Sequence, residues 1–260
     1  MEKEKAKWVA IVGTLDTKGP EIGFLRDCLQ DLGCRVKVVD VGLLSPPCIP
    51  ADVCREDVCA RANASLEALL SGSEGKLEAM SCMARGVISL AGEWMASGEM
   101  AGLMALGGGV GTWIGTTIMR SLPLGFPKVM ISTMPFDMRP HIGTKDIILM
   151  PSVADLLGLN PMLRTVLRNA AAALAGMVRQ PVKHEVPKPV VGMTGMGVTT
   201  PTILSSRKIL EDQGFEVTTF NATGLGGAAF EECTETGMFS AVLDLTTHEI
   251  TNWVFKGLAL

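Results

Sequence analysis

Trp8 to Gly13 (WVAIVG) is an apolar run that reads as a buried strand, and Val36 to Asp40 (VKVVD) reads as a second one. Between them Pro20 suits a first helical turn, Glu21 complements the helix dipole, and Ile22, Leu25, Leu29 and Leu32 recur at helical spacing until Gly33. Strand, helix and strand within about thirty residues leave room only for a right-handed crossover between parallel strands. The same plan returns near the carboxyl end. Val191-Gly192 opens like Val12-Gly13, Pro201 answers Pro20, Gly214 answers Gly33, Val217 answers Val36 and Asn221 answers Asp40. The chain is therefore expected to be α/β, with a parallel-sheet domain at 1–180 and a second copy of the βαβ plan from 188 to 260. The second copy is allotted only about seventy residues. It is expected to be incomplete, to present an unpaired strand edge, and to favour a homo-oligomer.

The strongest local signal lies between the copies, at Leu103 to Met119 (LMALGGGVGTWIGTTIM). An apolar strand stops at Gly107, Gly108 and Gly109, Gly111 follows, and an amphipathic helix begins, with Thr112, Thr116 and Thr117 adding hydroxyls. The first N–H groups of a helix lack partners and carry the positive end of its dipole, so such a loop suits a phosphate. Neither the G-x-G-x-x-G nor the G-x-x-x-x-G-K-[ST] fingerprint is present, so a glycine turn needed only for packing stays open as the second reading.

Three further stretches sit where strands of a parallel sheet end, the edge at which such sheets bind ligands. In Gly13–Gly19, Lys18 suits phosphate charge and Asp16 a magnesium ion or a hydroxyl; alternatively Asp16 and Thr17 cap the helix and Lys18 is a surface charge. Asp40 ends the second strand, where a ribose is often bound, although turn formation explains it equally. The loop 133–144 holds Thr133, Asp137, Arg139, His141, Gly143 and Thr144, a set able to contact phosphate unless Arg139 merely pairs with Asp137. The proline-bearing loop 41–52 is placed to cover a site. Val53–Leu70 and Leu77–Met95 read as helices, Lys128–Ser132 and Asp146–Met150 as strands, Leu163–Val178 as a helix, and 179–189 as a linker. In the second copy, Gly197–Thr200 and Thr223–Gly227 offer another anion site, with packing and capping as the alternative.

Composition removes several classes. The 260 residues carry 23 Lys and Arg against 27 Asp and Glu, and no basic run is interleaved with aromatics, which argues against nucleic acid. Apolar stretches are broken well short of a membrane span, and the start MEKEKAKW lacks the apolar segment of a signal peptide. Seven cysteines without a C-x-x-C and three scattered histidines predict reduced, cytoplasmic thiols and no structural zinc.

The segments GTLDTKGPE (13–21), ALGGGVGT (105–112), STM (132–134), RPHIGTKDI (139–147), MPSVADLLGLN (150–160), MTGMGVTTP (193–201) and DLTTHEI (244–250) resemble, in order and over nearly the whole chain, uncharacterised protein family 0261. This is the ATP-binding family related to the tomato mosaic virus resistance protein. The resemblance implies two Rossmann-like domains and ATP with magnesium as ligand. By matching motif it implies contacts from Thr14, Asp16, Lys18, Gly108, Gly109, Gly111, Thr112 and Thr133, with Arg139 and Gly143 nearby. Two outputs are consistent with it: nucleotide binding that acts through regulation or a protein partner, or an enzyme acting on a phosphorylated or carboxylated metabolite between the domains. No catalytic set is legible from the letters.

Overall fold

The structure, a computed structural model, describes residues 7–71, 75–134, 137–180 and 188–256. Most of the linker read at 179–189, and the Pro135-Phe136 step of the loop 133–144, lie outside the described residues. The chain divides into two compact units, Met1–Pro181 and Val182–Leu260.

The first unit runs β1 (Trp8–Gly13), α1 (Leu15–Asp31), β2 (Arg35–Asp40), α2 (Arg55–Arg61), α3 (Leu66–Leu70), α4 (Lys76–Ala96), β3 (Met100–Gly107), α5 (Gly109–Ser121), β4 (Lys128–Ser132), α6 (Arg139–Ile142), β5 (Ile148–Pro151) and α7 (Pro161–Arg179). Its five strands are parallel in the order β2-β1-β3-β4-β5. This is a doubly wound sheet. Strand order reverses between β1 and β3, so the loops after these two strands diverge to opposite faces and leave a crevice.

Successive strand residues point to opposite faces, and both faces are covered. Val9 and Ile11 pack with Ile22, Leu25 and Leu29 of α1 and with Leu163, Leu167, Ala170 and Leu174 of α7. Trp8, Ala10 and Val12 pack instead with α2, α4 and α5 through Val58, Met83, Val87, Ile114 and Ile118. Burying a large aliphatic side chain contributes about 1.5–3 kcal/mol, so this double layer carries most of the unit's stability.

Two expected helices differ in detail. The segment read as one helix over 53–70 forms α2 and α3, because Asn63 adopts a left-handed conformation (φ 56°) between them. The helix expected to begin near Pro20 starts at Leu15, but its backbone leaves helical geometry at Lys18 (φ −126°, ψ 17°). Pro20 thus sits in the first turn of the longer piece, where its missing N–H costs no hydrogen bond. The loop after β2 returns to the sheet edge, where Val53 forms a bridge with Val39.

The second unit runs β6 (Val190–Gly195), a short 3₁₀ turn at Gly197–Thr199, α8 (Thr200–Asp212), β7 (Glu216–Asn221), α9 (Leu225–Glu235), β8 (Ala241–Asp244) and α10 (His248–Phe255). Its three strands are parallel in the order β7-β6-β8. The buried core is Val191, Met193 and Ile203. Beside it Phe220 lies edge-on to both Phe230 and Phe239, at centroid separations of 5.7 and 5.8 Å.

Candidate functional site

At the reversal of strand order the first unit encloses a cavity of 540 Å³, within the roughly 300–1,000 Å³ range of small-molecule sites. Three strand ends supply its wall: Thr14, Asp16, Thr17 and Lys18 follow β1, Leu43 and Leu44 follow β2, and Gly108 to Gly111 follow β3. Leu69, Leu70, Lys76 and Met80 complete it from α3 and α4. One side is thus apolar, and the other carries hydroxyls, charges and backbone.

The four glycines have two different jobs. A side chain on Gly107 would place its first carbon 2.6 Å from the Gly111 Cα, and one on Gly111 would lie 2.9 Å from the Leu106 carbonyl, so these two let α5 approach β3. On Gly109 the same carbon would meet nothing within 4 Å, and on Gly108 it would lie 3.6 Å from the Thr133 hydroxyl. Packing explains Gly107 and Gly111. It does not explain Gly109. Gly108 caps α5 without any side-chain hydrogen bond, leaving the first N–H groups of a thirteen-residue helix available.

Asp16 is nine-tenths buried, and its Oδ2 accepts from Leu44 N at 2.8 Å and Ser45 N at 3.3 Å, which holds the proline-bearing loop over the cavity. Its Oδ1 has no hydrogen-bond partner among the described residues. The Thr14 and Thr17 hydroxyls bond to each other at 2.8 Å, and Thr14 precedes α1 without capping it through its side chain. Lys18 is among the residues that line the cavity, and its ammonium donates to the Leu156 carbonyl.

The other candidates are not among the residues that line the cavity. Thr112 is fully buried and bonds the Gly107 carbonyl at 3.2 Å and the Ser132 hydroxyl at 2.8 Å, bracing the glycine loop from behind. Thr133 donates its N–H to Gly107 O at 3.2 Å, and Thr116 turns back to Thr112 O at 2.7 Å. Arg139, 75 % exposed, pairs with Asp137, whose carboxyl it holds down to about 2. Neither Arg139 nor Gly143, which ends α6 at φ 59°, lines the cavity. Asp40 is buried, and its Oδ1 accepts from Leu15 N at 3.1 Å and Gly42 N at 2.8 Å; burial pushes its carboxyl up despite these donors. It organises the loops behind the cavity rather than facing a sugar.

Sequence reasoning passes over the apolar wall and Lys76. The proline-bearing loop is the available signal for Leu43 and Leu44, whereas α3 and α4 reach the site only through tertiary packing.

In the second unit the glycine loop is closed from within. Glu249 Oε1 accepts from Gly224 N at 2.7 Å and Gly227 N at 3.0 Å, the positions a bound anion would take. Gly227 permits this approach, since a side-chain carbon there would lie 2.0 Å from Glu249 Oε2. The turn at Gly197–Thr199 is also internally satisfied. The Thr199 hydroxyl accepts from Met196 N at 3.0 Å and meets the Thr246 hydroxyl at 2.8 Å. Among the described residues no group of three or more His, Cys, Asp or Glu is arranged to hold a metal ion, and no helix is long and apolar enough to cross a membrane.

Residues 7–183 match the N-terminal domain, and residues 188–260 the C-terminal domain, of an uncharacterised protein family, UPF0261. The chain belongs to this family. A UPF0261 protein of Rhizobium meliloti is 40 % identical over 252 residues, which are 96 % of this chain and 62 % of that protein. A UPF0261 protein of Mesorhizobium japonicum is 38 % identical over the same shares of each chain. The tomato (Solanum lycopersicum) ToMV susceptible protein tm-1(GCR26) is 36 % identical over 275 residues, 96 % of this chain and 36 % of its own. The chain thus spans about 62 % of the length of these two bacterial UPF0261 relatives.

Proposed function

We propose that the first unit of this UPF0261 chain binds ATP with magnesium in the 540 Å³ cavity, with an output exerted through regulation or a protein partner. The observation that carries the reading is the open glycine loop. Gly108 and Gly109 begin α5 with no side-chain cap, no packing demand at Gly109, and a cavity in front of them. Helix-terminal N–H groups at a topological switch point are a general solution for phosphate. The apolar wall of Leu43, Leu44, Leu69, Leu70 and Met80 suits a purine ring.

Magnesium fits the donor set in a limited way. It commonly takes one or two carboxylates together with substrate phosphates. Asp16, with one oxygen unpartnered among the described residues, is the residue that would hold it. Lys18 from α1 and Lys76 from α4 supply positive charge to the cavity lining. The polar side chains of the cavity, two threonines, one aspartate and two lysines, are groups able to hold an anion and a cation.

A thermal-shift panel of adenine and guanine nucleotides, each with and without magnesium, tests this. ATP with magnesium at a hundred-fold excess over its dissociation constant is expected to stabilise the fold by about 2.7 kcal/mol. No shift and no calorimetric heat with any adenine nucleotide would refute it.

A further inference from the structure

Two sequence motifs more than a hundred residues apart meet at the cavity's edge. Lys18 donates to the Leu156 carbonyl, and three residues further along α1 the Glu21 Oε1, on a side chain only 1 % exposed, accepts from Gly158 N at 2.7 Å. One cation and one carboxylate of α1 therefore fasten the segment 152–159, which leads from β5 into α7. The helical break at Lys18 is what separates its side chain from the helical course that Glu21 follows.

The segment itself is under strain. Val153, a β-branched residue, holds a left-handed conformation at φ 66°, which such residues adopt only where surrounding contacts enforce it. Val153 and Leu157 also present large apolar side chains to solvent, 75 % and 81 % exposed. Lys18 belongs to both places, since it lines the cavity and binds the segment. An ammonium has three N–H donors and Leu156 takes one, so donors remain for an anion.

We propose that Lys18 couples the cavity to this segment, so that a nucleoside triphosphate held by Lys18 orders residues 152–159 and fixes how Val153 and Leu157 are displayed. The proposal rests on the nucleotide reading above. A phosphate that engages the remaining donors immobilises the ammonium and so holds its existing bond to the Leu156 carbonyl in place. Coupling of this kind is reciprocal, so ordering the segment also favours the ligand.

Amide hydrogen exchange on the whole chain, with and without ATP and magnesium, tests the coupling. Saturating ATP is expected to slow exchange in 154–159 several-fold, and Lys18→Met is expected to speed exchange there several-fold even without ligand and to erase the ATP effect. Unchanged or faster exchange in the wild type, alongside an intact thermal shift with ATP, overturns the coupling alone. Absence of any thermal shift overturns the nucleotide reading and the coupling with it. Lys18→Met exchange equal to wild type without ligand overturns the claim that Lys18 fastens the segment.

Discussion

Each unit carries a glycine-rich turn from a parallel strand into a helix, yet the two turns end in opposite states. Both helices are capped by a glycine, which has no side chain to offer, but at the start of α5 the N–H groups face a cavity. At the start of α9 the carboxylate of Glu249 fills the equivalent position, with two N–H groups on one oxygen. Composition does not distinguish them, since GGGVG and GLGG are each glycine at all but one position. What differs is whether the same chain brings an acceptor back to the turn. The segment DLTTHE does so for α9, whereas the loop after β4 sends Arg139 to Asp137 and leaves α5 open.

The sharpest way to break this comparison is to separate the packing glycines from the open one. Gly111→Val should destabilise the first unit by roughly 3 kcal/mol or more, because the new carbon would lie 2.9 Å from a backbone carbonyl with no flexible group to yield. Gly109→Val should melt within about a degree or two of wild type yet lose the ATP-induced shift, about 2.7 kcal/mol at a hundred-fold excess. A Gly109→Val protein that still responds fully to ATP would show that the open turn is not where phosphate lies.

The other turn is tested by removing its internal anion. Glu249→Ala leaves two N–H groups without their charged acceptor, at a cost of roughly 1.5–3 kcal/mol by the usual worth of hydrogen bonds to charged groups. Faster amide exchange across 224–235 is the expected signature. If exchange there is unchanged, Glu249 does not secure α9, and the contrast between the two turns loses its basis.

These contrasts also mark where the sequence is informative. Strand–helix alternation, parallel pairing and the doubly wound plan follow from apolar runs separated by helical spacing, and both WVAIVG and VVGMTG form strands where expected. The glycine loop is legible as a turn into a helix. Its division into packing and open positions is not, because that depends on how close α5 lies to β3. Arg139, strongly suggestive as a letter, pairs two residues away, a local contact that competes well with any distant ligand. Lys18 reads from the letters as either a phosphate ligand or a surface charge, and its contact with Leu156 spans a sequence separation that no local pattern reveals. The break between α2 and α3 rests on a left-handed Asn63, a conformation asparagine tolerates but does not announce.

The two lysines of the cavity sharpen the comparison on a smaller scale. Lys18→Ala and Lys76→Ala should each weaken ATP about tenfold, ~1.4 kcal/mol, while changing adenosine binding little, because an ammonium acts on phosphate charge and hardly on the base. Arg139→Ala should leave both ligands unaffected. Calorimetric titration of the three variants with ATP and adenosine decides this, and equal losses for the two ligands would place the lysines away from the phosphates.

The smallest effect concerns Asp40, which supports the open turn's neighbourhood from behind. Burial raises its carboxyl above the ordinary range against the lowering influence of the Gly42 and Leu15 N–H groups, Asp16 adds a like charge, and Arg55 opposes it. A carboxyl raised on folding is better tolerated protonated. Its favourable contribution is therefore complete below the unfolded value of 3.8 and is lost as pH rises through the higher folded value. At neutral pH the charged Asp40 is thus a burden on the fold, its Oδ2 buried and unpartnered among the described residues. Asp40→Asn keeps an oxygen for the Leu15 and Gly42 donors and removes the charge, so it should raise the melting temperature at neutral pH. That gain should shrink steadily as the solution is acidified toward the folded value, where the wild-type carboxyl takes up its own proton. A gain independent of pH would trace instead to the new amide's hydrogen bonds, and a loss at every pH would show that Asp40 is needed as an anion beside Arg55.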